Sequence, residues 1–223
     1  RTQYANGDMR VMQNNVWNFA PTAKFRYKFD KKEFALIDYR GSTSQPSIEQ
    51  MEPSRNNDDI MNEIVGNPRL NPSFQQSLRL MYTKFYPSTF ASLVTGLFGN
   101  ITQDALVLNS IYDETGKQYQ QTVNAEDLPI SITADLMYNT PFAKKRFNLN
   151  TRTSVSYNRR VGYTSKGVLL DDIDVEHLQL GDLSLTHNFR ATENITLSFS
   201  HDVIDVGAKA NVVYSRTHNN LGG

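Results

Sequence analysis

The stretch Phe19-Ala20-Pro21-Thr22-Ala23-Lys24-Phe25-Arg26-Tyr27-Lys28-Phe29 sorts its residues by parity. Odd positions carry Phe, Pro, Ala, Phe, Tyr and Phe, while Lys24, Arg26 and Lys28 all fall on even ones. Strict period two is the mark of a strand with one apolar and one polar face. The pattern returns at 147–157, where Asn148, Asn150, Arg152, Ser154 and Ser156 oppose Phe147, Leu149, Val155 and Tyr157. It returns again at 204–214 and 128–142. Three windows, 19–29, 147–157 and 189–199, begin and end on an aromatic residue. A tilted strand crossing a bilayer takes about 9–11 residues and ends at interfaces that favour aromatic rings. Strands of soluble sandwiches average about 5–6 residues. The alternation therefore predicts strands whose apolar side meets hydrocarbon.

The rest of the chain is compatible with that reading. Its 223 residues allow one large domain or two small ones, and a single β-barrel domain over 1–223 is expected. Lys+Arg and Asp+Glu balance at 23 each, which gives no electrostatic reason to expect a nucleic-acid partner. Lys24, Phe25, Arg26 and Tyr27 interleave charge with rings, but on opposite faces, whereas base stacking needs both on one. With no cysteine, disulfides, thiolate zinc sites and thiol catalysis are excluded. The longest apolar runs, 34–37 and 105–108, are far short of the roughly 20 residues of a spanning helix. The mean hydropathy of -0.51 does not argue against a membrane barrel, which hides apolar residues at every second position. Arg1-Thr2-Gln3-Tyr4 has no signal-peptide pattern, so a targeting segment is expected outside this chain.

Connections give a second, independent indication. Short links are expected at 30–32, 86–89, 143–145 and 201–202, alternating with longer ones at 42–73, 113–117 and 164–176, as in outer-membrane barrels. The sequence predicts an all-β fold: an antiparallel transmembrane segment of about eight long strands at 17–29, 33–41, 74–85, 90–112, 118–142, 146–162, 178–200 and 203–216. A one-residue slip of the first strand would turn Lys24, Arg26 and Lys28 to lipid, costing on the order of 5–10 kcal/mol. Pro21 lacks a ladder donor and Glu193 falls on an apolar face, so both are expected at a rim or an imperfect pairing. Residues 90–101 are apolar on both faces, which predicts lipid outside and a plug inside.

After the long loop the chain reads GNPRLNPSFQQSLRL from Gly66 to Leu80, which resembles the GNP-x-L-x-P box that opens a strand in TonB-dependent outer-membrane receptors. Before it stands DYRGSTSQPSIEQMEP, from Asp38 to Pro53, similar to the DYR-x-x-TSQPSI stretch of the Bacteroidetes-type outer-membrane β-barrel family in that group. KKRFNLNTRTSVSYNRRVGY and ANVVYSRTHNNL match in kind. The resemblance implies a barrel of about 22 strands with its own plug domain in the lumen, of which this chain would be a piece. It also implies transport of a nutrient (siderophore, glycan or peptide) without covalent chemistry, energised through the plug by an inner-membrane complex. A surface lipoprotein is a further implied partner. Within the box, Gly66, Asn67, Pro68, Leu70 and Pro72 are read as organising a loop, since Pro68 and Pro72 deny donors and Gly66 permits a tight turn.

Candidate chemistry is sparse, and neither a cofactor nor an enzyme activity is expected. Asp172, Asp174 and Glu176 offer alternate carboxylates to calcium, although a solvated acidic loop is the plainer reading, as it is for 56–59. His177, His187, His201 and His218 show no metal-binding spacing, and no G-x-S-x-G elbow occurs. The inward polar set, Lys24, Arg26, Lys28, Asp38, Arg40, Arg79, Asp135, Arg152 and Lys209, is expected to meet lumen water, the plug or a ligand. Extracellular contacts are expected from 42–70 and 164–176. Two alternatives are a soluble or surface-attached β-sandwich binding module, which would bury Phe25, Tyr27, Ile132, Leu136 and Val155, and a complete eight-stranded membrane barrel.

Overall fold

The computed structural model describes residues 2–3, 9–10, 18–52, 55–169 and 178–221. Two short strands, β1 (Thr2–Gln3) and β2 (Met9–Arg10), pair only with each other. The main ladder contains β3 (Thr22–Lys28), β4 (Glu33–Ser44), β7 (Ser73–Tyr86), β8 (Ala91–Gln103), β11 (Ile130–Phe142), β12 (Phe147–Val168), β13 (Asp182–His201) and β14 (Ile204–Asn219). Each pairs antiparallel with the next in that order. Among the described residues β3 and β14 do not pair with one another, so the sheet is open and not a closed eight-stranded barrel.

Register makes the alternation continuous across the whole ladder. Phe25, Ile37, Leu80, Leu97, Ala134, Val155, Ala191 and Tyr214 are successive partners, one from each strand. One residue along, Lys24, Asp38, Arg79, Phe98, Thr133, Ser156, Arg190 and Ser215 form the corresponding row on the opposite face. A side chain's face is fixed by parity, so hydrogen bonding carries one strand's segregation into its neighbour. Among the described residues no second layer covers the apolar row: Phe25 is 60 % exposed, Leu136 43 % and Val155 36 %. Tyr27 and Ile132 are exposed too, so the five residues a sandwich would bury lie on an open face.

Four tight turns of the eight-stranded ladder lie at one end, joining β3–β4, β7–β8, β11–β12 and β13–β14. Several rest on left-handed backbone at Phe90, Ala143, Lys144, Lys145 and Asp202. Rings gather there: Phe142 and Phe147 lie 5.2 Å apart, Phe147 and Phe199 4.8 Å, Tyr27 and Phe29 4.8 Å. The Lys145 ammonium sits 3.4 Å from the Phe90 ring centre and ties two neighbouring turns together. The Phe25–Tyr214 row lies closer to the turn in β3 than in β13, the stagger expected of strands tilted in a barrel wall.

Several expectations need correction. The strand expected from 17 begins at Thr22, because Pro21 cannot donate and its carbonyl instead accepts from Gly41 N at 2.8 Å. The single strands expected at 90–112 and 118–142 are each broken. Asp104 turns left-handed at φ 48°, Ala125 N donates to Ala105 O at 2.8 Å, and Pro129 precedes β11. The segments beyond, β9 (Leu106–Asp113) and β10 (Gln118–Asn124), leave the wall as a hairpin. Within the expected loop 42–73 lie α1 (Ile48–Met51), β5 (Arg55–Asp59) and β6 (Asn62–Val65). Glu193 is in the middle of an unbroken register between Thr153 and Val212, not at a rim, and its carboxylate accepts the Thr153 hydroxyl on the same face. In β8, Phe98 folds back over Gly96 beneath the Arg79 guanidinium.

The strands that leave the wall build a small head at the long-loop end. Its order is β12-β9-β10-β6-β5, with β9 parallel to the far end of β12 and β10 parallel to β6. Val65, Leu70, Ala105, Ile111, Tyr119, Ala125 and Tyr163 are buried there, so most of the enclosed core of the described chain belongs to the head.

Candidate functional site

Two surfaces carry the polar chemistry: the inner face of the wall and the head above it. On the inner face, β3, β4 and β7 bring Lys24, Asp38 and Arg79 into one row, and Arg40 Nε donates to Asp38 Oδ1 at 3.0 Å. Asp38, Arg40, Ser77, Arg79, Phe98 and Asn100 line a concavity of about 320 Å³. Arg26 lies 4.5 Å over the Phe34 ring, and Lys28 is paired in register with Phe34. Farther round, Arg152 Nη2 lies 3.6 Å from Asp135 Oδ1. Lys209 stands apart on β14 opposite Thr196. The nine residues read as inward thus share a face but divide into a cationic group at one edge, one ion pair and one separate lysine. Arg190, in the same row as Arg79, belongs with them and was missed; its even position in β13 is the signal that places it there.

From β11 to β14 the inner face changes character. Ser131 donates to Asn158, Asn188 to Thr217 and Asn211 to Asn194, with Asn148, Asn150, Thr192 and Ser198 on the same parity. This part of the face is dominated by neutral amides and hydroxyls.

The box residues act in the head. Ser47 caps α1 in a reciprocal capping box with Gln50, the DYR-to-MEP stretch's own contribution to the site. Asn67 N then donates to Gln50 O at 2.6 Å, its side-chain amide to Thr122 O at 3.0 Å, and its carboxamide oxygen accepts from Arg69 N at 3.0 Å. Leu70 is buried, and Gln121 Nε2 donates to Gly66 O at 3.3 Å. Pro68 and Pro72 flank these contacts in the segment leading into β7. The two sequence stretches therefore meet as one clamp across β10.

Three further polar anchors were not singled out from sequence. Asn109, 0 % exposed, donates to Gln179 O at 2.8 Å and accepts from Gly181 N at 3.0 Å, which fixes the chain where it approaches β13. An asparagine inside the apolar run Leu106-Val107-Leu108-Asn109 was the available signal. Asp113 closes the β9–β10 turn by accepting from Thr115 N, Thr115 Oγ1 and Lys117 N at 2.8, 2.7 and 2.9 Å, around Gly116 at φ 90°. The Thr115 hydroxyl, then the turn amides, hold its carboxyl below the ordinary range. Lys117 Nζ lies 2.7 Å from Glu63 Oε2 across β10 and β6, and this bond raises the ammonium's pKa. The calcium candidates Asp172, Asp174 and Glu176 lie outside the described residues, as do the side chains of 56–58.

No curated protein and no solved structure matches the chain. A family model does: that of an outer membrane protein beta-barrel family, over residues 2–219. An open apolar face on one side of a staggered ladder and a polar face on the other are what a barrel wall in lipid requires, and the chain belongs to this outer-membrane β-barrel family.

Proposed function

We propose that this chain forms part of the wall and extracellular mouth of a TonB-dependent outer-membrane receptor that imports a nutrient without covalent chemistry. The observation that carries the reading is the clamp between the two box stretches, Gln50 to Asn67, beneath a packed head at the long-loop end. A passive pore needs no such folded mouth, whereas a receptor needs a rigid frame to present binding loops. The polar inner face of the eight-stranded ladder is the side on which the receptor's own plug domain would sit. The cations of β3, β4 and β7 would meet plug carboxylates or an anionic ligand, and the amide and hydroxyl arc of β11–β14 would let a hydrated plug move. The remaining partners are the bilayer, an inner-membrane energising complex acting through the plug, and a surface lipoprotein over the mouth. Ligand classes compatible with this frame are siderophores, glycans and peptides, held at the mouth by the head and loops.

The test is uptake of labelled candidate nutrients by cells carrying or lacking the full-length gene, with and without a proton uncoupler. Gene-dependent uptake that stops when the proton gradient collapses is the expected result. Gene-dependent uptake that survives the uncoupler overturns the energised mechanism.

A further inference from the structure

The outer face carries a second pattern that nutrient import leaves unused. Arg159, His187 and His218 are successive register partners across β12, β13 and β14, and Arg216 stands opposite Phe189 one pleat nearer the bilayer. All four share the parity, and so the face, of Val155, Ala191 and Tyr214. Directly opposed residues in such a ladder have Cβ atoms about 4.5–5.5 Å apart, so these side chains form one patch. Beneath them run Tyr157, Phe189 and Tyr214, with the Phe189 and Tyr214 rings 6.2 Å apart. These rings end the apolar band that starts at Phe147 and Phe199; Arg216 is level with Phe189, and Arg159, His187 and His218 lie one pleat beyond it, at headgroup level.

The patch is local. At the same level β7, β8 and β11 present Gln76, Ile101 and Ile130, so among the described strands the Arg and His side chains are confined to β12–β14. Part of it is already fixed. Arg159 donates through Nε and Nη2 to Leu128 O at 3.1 and 2.7 Å beside Asp127, and His187 Nδ1 lies 2.8 Å from the Tyr157 hydroxyl. Arg216 and His218 are exposed and form no ion pair among the described residues.

We propose that this patch binds the phosphorylated headgroup of an outer-leaflet lipid whose acyl chains lie over Phe189, Tyr214 and Val212. The long loops of an outer-membrane barrel are extracellular, so a patch at this end meets the headgroups of the outer leaflet. A guanidinium matches a phosphate bidentately, and charge-assisted bonds at the edge of hydrocarbon are screened less than in open water. Fixed Arg159 and His187 supply a preorganised side, while Arg216 and His218 close on the headgroup.

The full-length protein in neutral detergent is mixed with a phosphorylated lipid A and, separately, with its dephosphorylated form, and lipid retained is read by native mass spectrometry. The wild type is expected to retain the phosphorylated lipid about tenfold better, and Arg216→Gln/His218→Gln to lose most of that preference while keeping the barrel's heat-modifiable migration. Equal retention of the two lipids by the wild type overturns the proposal, and this comparison decides even where the double variant does not fold. Unchanged preference in a folded double variant also overturns it. Full displacement of the lipid by millimolar inorganic phosphate would assign the patch to a free anion and overturn the lipid site.

Discussion

Gly66 lies against the backbone of Glu52 so closely that a Cβ on it would stand 1.7 Å from the Glu52 carbonyl oxygen. That oxygen belongs to the segment leaving α1, so the contact joins the two sequence stretches that resemble receptor boxes. The glycine is required by this approach, and the flanking prolines stiffen the segment that makes it.

Gly66→Ala must push the two segments apart, since a carbonyl cannot rotate away as a side-chain tip can. A loss of about 1–3 kcal/mol in the head is expected, the usual range for overpacking. Gly99→Ala is the control, because its Cβ meets nothing within 4 Å. Limited proteolysis of the folded full-length protein should cut the Gly66 variant in the head and leave the Gly99 variant as resistant as wild type. Equal resistance of both would remove the clamp from the account.

Asn109→Ala removes the buried amide that accepts from Gly181 N and donates to the Gln179 carbonyl, so both backbone groups lose their partner. Each lost hydrogen bond costs about 0.5–1.5 kcal/mol, since water reaches both backbone groups. Hydrogen exchange should quicken at Gly181 and its neighbours while the β7–β8 ladder stays protected. Uniform protection would show that another group replaces the amide.

Much of the wall was legible in the sequence and most of the head was not, for a physical reason. Parity marks only that two faces differ; it does not say what covers them. In β8 the odd residues Leu97 and Ile101 lie on the open apolar face, and in β9 the odd residues Asn109, Ile111 and Asp113 are buried in the head. Residues 90–112 carry apolar side chains on both parities, so no change of pattern marks Asp104 and the stretch reads as one strand although the environment changes from an open face to protein core. Asp104 and Pro129 were the local signs of the break. The inward set was legible as a face because Lys24, Arg79 and Arg152 obey parity. Its division into separate groups depends on strand order, which short periodic segments do not encode. Glu193 broke the parity rule and was explained only by its register partner on the neighbouring strand, the hydroxyl of Thr153, 40 residues away in sequence.

The β9–β10 turn should depend on pH in a stated direction. The Asp113 carboxyl is held below its ordinary 3.8, first by the Thr115 hydroxyl and then by the turn amides. Its contribution is therefore present above the unfolded carboxylate's range and lost as pH falls through the lowered value. Lys117, raised above 10.5 chiefly by its bond to Glu63, acts in the opposite sense: its contribution holds below that value and disappears as pH rises past the raised one. Hydrogen exchange at Thr115 and Lys117 should rise on acidification below pH 3.8, and Asp113→Asn should flatten that response. An unaltered acid response in the variant would assign the effect to another carboxyl.

The lipid-facing assignment rests on neighbouring residues of one strand having opposite surroundings, so the decisive comparison is within β12. Val155 belongs to the apolar row and Ser156 to the polar one, and each is bonded in register to β11 and β13. An arginine on a lipid face costs about 2–4 kcal/mol at the bilayer midplane and about 0–1 at the interface, so Val155, one pleat inside Tyr157, falls between them at about 1–2 kcal/mol, whereas a lumen substitution costs little. Val155→Arg should therefore shift denaturant unfolding of the vesicle-reconstituted full-length barrel by about that amount, and Ser156→Arg should stay within about 0.5 kcal/mol of wild type. Comparable losses at both positions would mean that both sides of β12 meet the same medium. The reversed order would mean that hydrocarbon lies on the side of Lys24, Arg79 and Ser156, which would exchange the inner and outer faces of the wall and move the basic patch of Arg216 and His218 off the membrane surface.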